Sequence, residues 1–119
     1  MKAQELIDLS ISYFERIAEM THCLTTGNVS HQGATIRAYA RSAAECLEIE
    51  LKDISSSEYE YELIRRSKIW LQQTERSAAR LTSGNVSHSG CGLRGFVLRS
   101  REYLIKHRFD EDIKYNNQN

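Results

Sequence analysis

Apolar side chains return along most of this chain every three or four positions. In the first stretch Leu6, Tyr13, Ile17, Met20 and Leu24 form one stripe, widened by Ile7 and Phe14, while Asp8, Glu15 and Glu19 fall opposite. This is the spacing of a helix with one buried face. A second helix, from about Ser30 to Ile54, would turn Ile36, Ala40, Ala43, Leu47, Leu51 and Ile54 inward, leaving Arg37, Arg41, Glu45, Glu48 and Lys52 to solvent. Small Ala40 and Ala43 would let a neighbour come close. The third, about Ser57 to Leu81, has a weaker stripe of Ile64, Ser67, Leu71, Thr74, Ala78 and Leu81, with Trp70 beside it. The fourth, about Ser87 to Arg108, places Leu93, Phe96, Val97, Ser100, Tyr103 and Leu104 inward. The chain contains no proline, the residue that most often interrupts such helices. Residues 110–119 are polar and are expected to fray.

The four stretches are one pair used twice. Leu24-Thr25-Thr26-Gly27-Asn28-Val29-Ser30-His31-Gln32-Gly33 returns as Leu81-Thr82-Ser83-Gly84-Asn85-Val86-Ser87-His88-Ser89-Gly90. Flanking positions follow the same offset: Glu5-Leu6-Ile7 with Glu62-Leu63-Ile64, Ser10 with Ser67, Tyr13 with Trp70, Ile36-Arg37 with Leu93-Arg94, Tyr39 with Phe96. The units 5–48 and 62–105 are each too long for one helix and suit two helices joined by a turn. The expected fold is therefore all-α. It is a four-helix bundle of two duplicated αα-hairpins related by a pseudo-twofold axis, in a single domain over 1–109. Both repeated turns would lie at one end. Gly27 and Gly84 are expected to close a helix in the left-handed conformation, and Ser30 and Ser87 to cap the next one. Val29 and Val86 would act as staples reaching Ala34 and Cys91. Between the units, the serines of Asp53-Ile54-Ser55-Ser56-Ser57-Glu58 can cap the third helix.

Charge refines this picture. The net charge of zero divides into −3 over residues 1–57 and +3 over residues 58–119. From Arg65 to Arg108 ten basic residues (Arg65, Arg66, Lys68, Arg76, Arg80, Arg94, Arg99, Arg101, Lys106, Arg108) face only Glu75 and Glu102. Such a stretch suits phosphates or an acidic protein as well as a solvated face. No apolar run approaches the roughly 20 residues that span a bilayer, and the first residues lack the apolar core of a secretory leader, so a cytoplasmic location is expected. Cys23, Cys46 and Cys91, odd in number and without C-x-x-C spacing, are expected to be reduced. In that compartment the sequons at Asn28 and Asn85 would go unused.

The candidate chemistry gathers at the turns. A helix start offers unpaired N–H groups and partial positive charge, so Ser30 and Ser87 mark two anion sites, with Asn28, His31, Arg37, Arg41, Asn85, His88, Arg94 and Arg99 as supplements. Gly33 and Gly90 lie one turn into their helices, where glycine costs about 1 kcal/mol relative to Ala; another backbone or a ligand would explain them. His31, His88 and Cys91 have no standard ligand spacing, so neither metal nor cofactor is expected. Cys91 near a helix start suggests a thiolate, but Ala34 at the equivalent position favours a buried cysteine.

Arg101 and His107, with five residues between them, resemble the R-x4-6-H signature of HEPN-type ribonucleases, a resemblance that implies RNA cleavage by that pair. Arg16 and His22 share the spacing. Leu98 and Ile105 point outward, seven residues apart, and suggest a subunit or partner interface, a homodimer included. The leading expectation is a non-catalytic binding protein that engages an anionic partner (nucleic acid, nucleotide or acidic protein surface) through paired helix starts and the basic second unit. The rival is a small inhibitor or adaptor of the kind encoded by phages and mobile elements, acting through protein contact along Leu98 and Ile105.

Overall fold

A computed structural model of the chain describes residues 1–109; the polar tail expected to fray lies outside them. Four helices and no strand carry these residues: α1 (Ala3–His22), α2 (Val29–Leu51), α3 (Glu58–Ala79) and α4 (Val86–His107). The start of α3 follows the serine signal. The Ser57 hydroxyl accepts from the Glu60 N–H at 3.1 Å, and the Glu60 carboxylate accepts from the Ser57 N–H at 3.0 Å, closing a capping box. The helix α2 ends at Leu51, short of the expected Ile54.

The helices form a bundle in which each helix lies most closely along one from the other hairpin. The most extensive contact joins α2 to α3 and the next joins α1 to α4, ahead of the contacts within each hairpin, while α1 also touches α3. Chain direction follows from the contacts. A Cβ placed on Gly33, near the start of α2, would lie 3.7 Å from the Ala78 carbonyl near the end of α3. One placed on Gly90, near the start of α4, would lie 3.6 Å from Leu24, just beyond α1. Both turns therefore occupy the same end. The opposite end holds the first turn of α1 and the last of α4, where Gln4 bonds to Glu60 and to the Arg108 carbonyl, Tyr59 bonds to the His107 carbonyl, and Arg108 meets Asp8 at 2.8 Å.

Phe14, Leu6, Ile7, Ile17, Ile36, Leu47, Leu63, Ile64, Leu71, Val97 and Leu104 are fully buried. The predicted stripes contain most of them. Ser10 and Ser67 are fully buried in α1 and α3, and each donates its hydroxyl to the carbonyl four residues back, Leu6 and Leu63, at 2.8 Å. Such self-bonding lets a small polar residue sit in an apolar interface without an unmet donor. Tyr13 and Tyr39 stack edge to face at 6.0 Å between α1 and α2, and burial pushes both phenols upward in pKa. On the surface of α3, the Glu62 carboxylate accepts from Arg65 at 2.7 and 2.9 Å and from Arg66 at 3.2 Å, which holds it at about 2. A depressed carboxylate stabilises the fold above its ordinary range and loses that contribution as pH falls from about 4.5 towards 2. Solvent screening of these half-exposed groups keeps the effect under about 1 kcal/mol. Urea titrations of Glu62→Gln and the parent should differ at pH 7 and converge by pH 2.

Candidate functional site

The repeated turns are built by asparagine and threonine. Thr25 N–H donates to Asn28 Oδ1 at 2.8 Å, Asn28 N–H donates to Thr25 Oγ1 at 3.1 Å, and Asn28 Nδ2 donates to the Cys23 carbonyl at 2.9 Å. In the second copy Thr82 and Asn85 exchange the same bonds at 2.8 and 3.2 Å, and Asn85 Nδ2 reaches the Arg80 carbonyl at 3.0 Å. Each asparagine thus ties the end of one helix to the approach of the next, as a reciprocal cap spelled Thr-x-x-Asn. The glycine expectation is corrected here: no glycine has positive φ, because the asparagine amide takes the orphan carbonyl that a left-handed glycine would otherwise help to satisfy. Ser30 and Ser87 are likewise not the caps. The helices begin one residue earlier, with Asn28 and Asn85 in the flanking position, so both serines are exposed in the first turn.

Neither asparagine side chain caps the helix that follows it. The starts of α2 and α4 therefore offer backbone N–H groups to solvent. Val29 and Val86 are buried as staples should be, but Ala34 and Cys91 are exposed. The buried face of α4 runs through Val86, Gly90, Leu93 and Val97, and one residue beyond Gly90 the helix has turned about 100°. Cys91 is consequently not a core cysteine.

Two shallow clefts flank the turns. One, of about 200 Å³, lies between the start of α2 and the end of α3 and includes Ser30, Gly33, Arg37 and Leu81. The other, of about 250 Å³, lies between the end of α1 and the start of α4 and includes Leu24, Ser87, Gly90 and Arg94. Every lining residue of one has its counterpart 57 positions away in the other. The clefts share no residue, and α2 and α4 are not among the closely packed helix pairs. So Ser30 and Arg37 come together, and Ser87 and Arg94 come together. Asn28 and Asn85 serve the turns, His31 and His88 are exposed beside the clefts, and Arg99 is exposed on α4. Arg41 faces α3, 3.6 Å from Glu75 and 3.7 Å from Glu45. A Cβ on Gly33 or Gly90 would meet the neighbouring helix end only at ordinary contact distance, so packing does not require glycine at either position.

Charge distinguishes this end. No Asp or Glu occurs from Met20 to Ala44 or from Arg76 to Arg101. The carboxylates nearest the turns are each matched: Glu19 with Arg16 at 3.3 Å, Glu15 with Arg101 at 3.0 Å and Glu75 with Arg41. Arg37, Arg76, Arg80 and Arg94 have no carboxylate partner among the described residues. Part of the basic run is matched elsewhere, since Arg65 and Arg66 share Glu62 and Arg108 pairs with Asp8.

The far end differs. Met1, Ile49, Tyr61, Ile105 and Phe109, the exposed large apolar residues, all lie towards it, while Leu98 is partly covered. Arg101 faces Glu15 on α1, whereas His107 stacks on Tyr103 at 4.3 Å, and Tyr103 in turn meets Trp70 of α3. That pair therefore points to different neighbours. Among the described residues no three of His, Cys, Asp or Glu gather as metal ligands, and no helix is long and apolar enough to cross a membrane. Gly90, Gly92 and Gly95 have G-x-G-x-x-G spacing but stand inside α4, without the strand-to-helix turn that makes such spacing cradle a dinucleotide. No known protein family, curated protein or solved structure matches this chain.

Proposed function

We propose that this protein is a non-catalytic binding module whose turn end engages an anionic partner: a nucleic acid, a nucleotide or an acidic protein surface. The carrying observation is the acid-free turn end, where Arg37, Arg76, Arg80 and Arg94 lack carboxylate partners beside two uncapped helix starts. Electrostatic potential there is positive although the whole chain is neutral, and the helix starts add to it. The two clefts, on this reading, are copies related by a pseudo-twofold axis, one per hairpin. Their matched linings support that relation. Each presents one serine and one arginine, seven residues apart on the same helix face. No Phe, Tyr or Trp lines either cleft, and His22 is the one aromatic ring, in the second cleft, so contact with the charge of a backbone is favoured over reading of a base.

Fluorescence polarisation with labelled single-stranded and duplex oligonucleotides tests this. Four phosphate contacts predict a loss of about 100-fold in affinity between 50 and 200 mM salt. Arg37→Gln with Arg80→Gln and Arg94→Gln should weaken binding and flatten that salt slope by about three contacts. An unchanged affinity in the triple variant would refute the site. RNA cleavage that disappears in His107→Ala would refute the non-catalytic role.

A second reading, a protein inhibitor or adaptor, is favoured by exposed Ile49, Tyr61 and Ile105 at the far end. It predicts that one stoichiometric protein is retained on the immobilised chain, and that Ile105→Glu abolishes the capture.

A further inference from the structure

The second unit departs from the first at two positions that packing does not demand. Gly92 and Gly95 stand inside α4 where α2 has Thr35 and Ala38. A Cβ on Gly92 would meet no heavy atom within 4 Å, and one on Gly95 would meet only the Arg99 guanidinium, at 3.1 Å from Nη1, the free end of a flexible side chain. Each glycine lowers the local helix equilibrium about fivefold relative to alanine, because the unfolded chain gains freedom.

Other features of α4 do not offset that loss. Its contact with α1 is less extensive than that of α2 with α3. Over its first three turns the buried positions are Val86, Gly90, Leu93 and Val97, of which one has no side chain. No side chain caps its start.

We infer that Val86–Val97 is a separately opening segment, which unwinds while α1, α2, α3 and the remainder of α4 stay folded. Opening removes one wall of the cleft that contains Ser87 and Arg94 and leaves the cleft of Ser30 and Arg37 intact. The duplicated bundle thus keeps one standing cleft and one that is made and unmade. This follows from the fold and holds whether or not either cleft takes an anion.

Amide exchange of the full chain, followed by NMR through a urea series below the unfolding transition, tests the segment. Amides of residues 93–97 should exchange at least about tenfold faster than those of residues 36–40, with a urea dependence weaker than that of global unfolding, as opening this segment exposes only part of the buried surface. Gly92→Ala combined with Gly95→Ala should slow exchange at 93–97 by about twentyfold. Equal protection with the same urea dependence in both stretches would overturn the inference. So would an unchanged rate at 93–97 in the double variant.

Discussion

Replacing Asn28 and Asn85 together by alanine should lower stability by about 1–4 kcal/mol, since each removes a reciprocal cap worth about 0.5–2 kcal/mol. Each asparagine makes two side-chain bonds, one to a threonine N–H and one to the last carbonyls of the preceding helix, and also anchors its own N–H on the threonine hydroxyl. The two turns share no hydrogen-bond partner, so the losses should add. For a domain of this size the melting temperature would fall by several degrees for each kcal/mol lost. Asn28→Asp should cost less than Asn28→Ala, because it keeps the acceptor for Thr25 and loses only the donor to Cys23. Ser30→Ala and Ser87→Ala should stay within about 0.5 kcal/mol of the parent, since these exposed serines cap nothing. A larger loss from Ser30→Ala than from Asn28→Ala in thermal or urea melts would overturn this account of the turns.

Phe14→Ala should be the most damaging single change in the core, at about 3–5 kcal/mol. Phe14 is the largest of the fully buried side chains, and it belongs to α1, which touches all three other helices. The surrounding apolar cluster draws residues from every helix. Phe14→Leu, which installs the residue found at the equivalent Leu71, should cost far less. Urea denaturation of the two variants checks the pair, and equal losses would contradict the assignment of Phe14 to the centre of the core.

The helices were legible because burial imposes a period of three to four on each stretch, and Ser57 with Glu60 spelled a familiar cap. That both turns share an end was also legible, from the matching decapeptides. Which helices pack most closely was not: the stripes give a buried face but not the neighbour that covers it, and the strongest contacts run between the units. The turn chemistry was not legible because Ser30 and Asn28 are equally good cap residues, and because Thr25 with Asn28 uses the shorter Asn side chain in the place usually held by Glu or Gln. The Arg65–Arg108 charge excess was visible, but its neutralisation by Glu62, Glu15 and Asp8 depends on side-chain geometry and, for the last two, on contacts with α1. Once those pairs are subtracted, Lys68, Arg76, Arg80, Arg94, Arg99 and Lys106 of that run are left without a carboxylate partner among the described residues, and Arg76, Arg80 and Arg94 of these lie with Arg37 towards the turns. Leu98 and Ile105 share a stripe, yet Leu98 is half-buried, so only Ile105 remains well exposed.

The most direct test of the charged turn end is an NMR titration of the full chain with a short single-stranded oligonucleotide at low salt. The predicted result is a set of shift changes at the amides of Ser30, His31, Ser87 and His88 and at the side chains of Arg37, Arg80 and Arg94, with Ile49, Tyr61 and Ile105 unmoved. Changes confined to Ile49, Tyr61 and Ile105, or none at any of these groups, would contradict it.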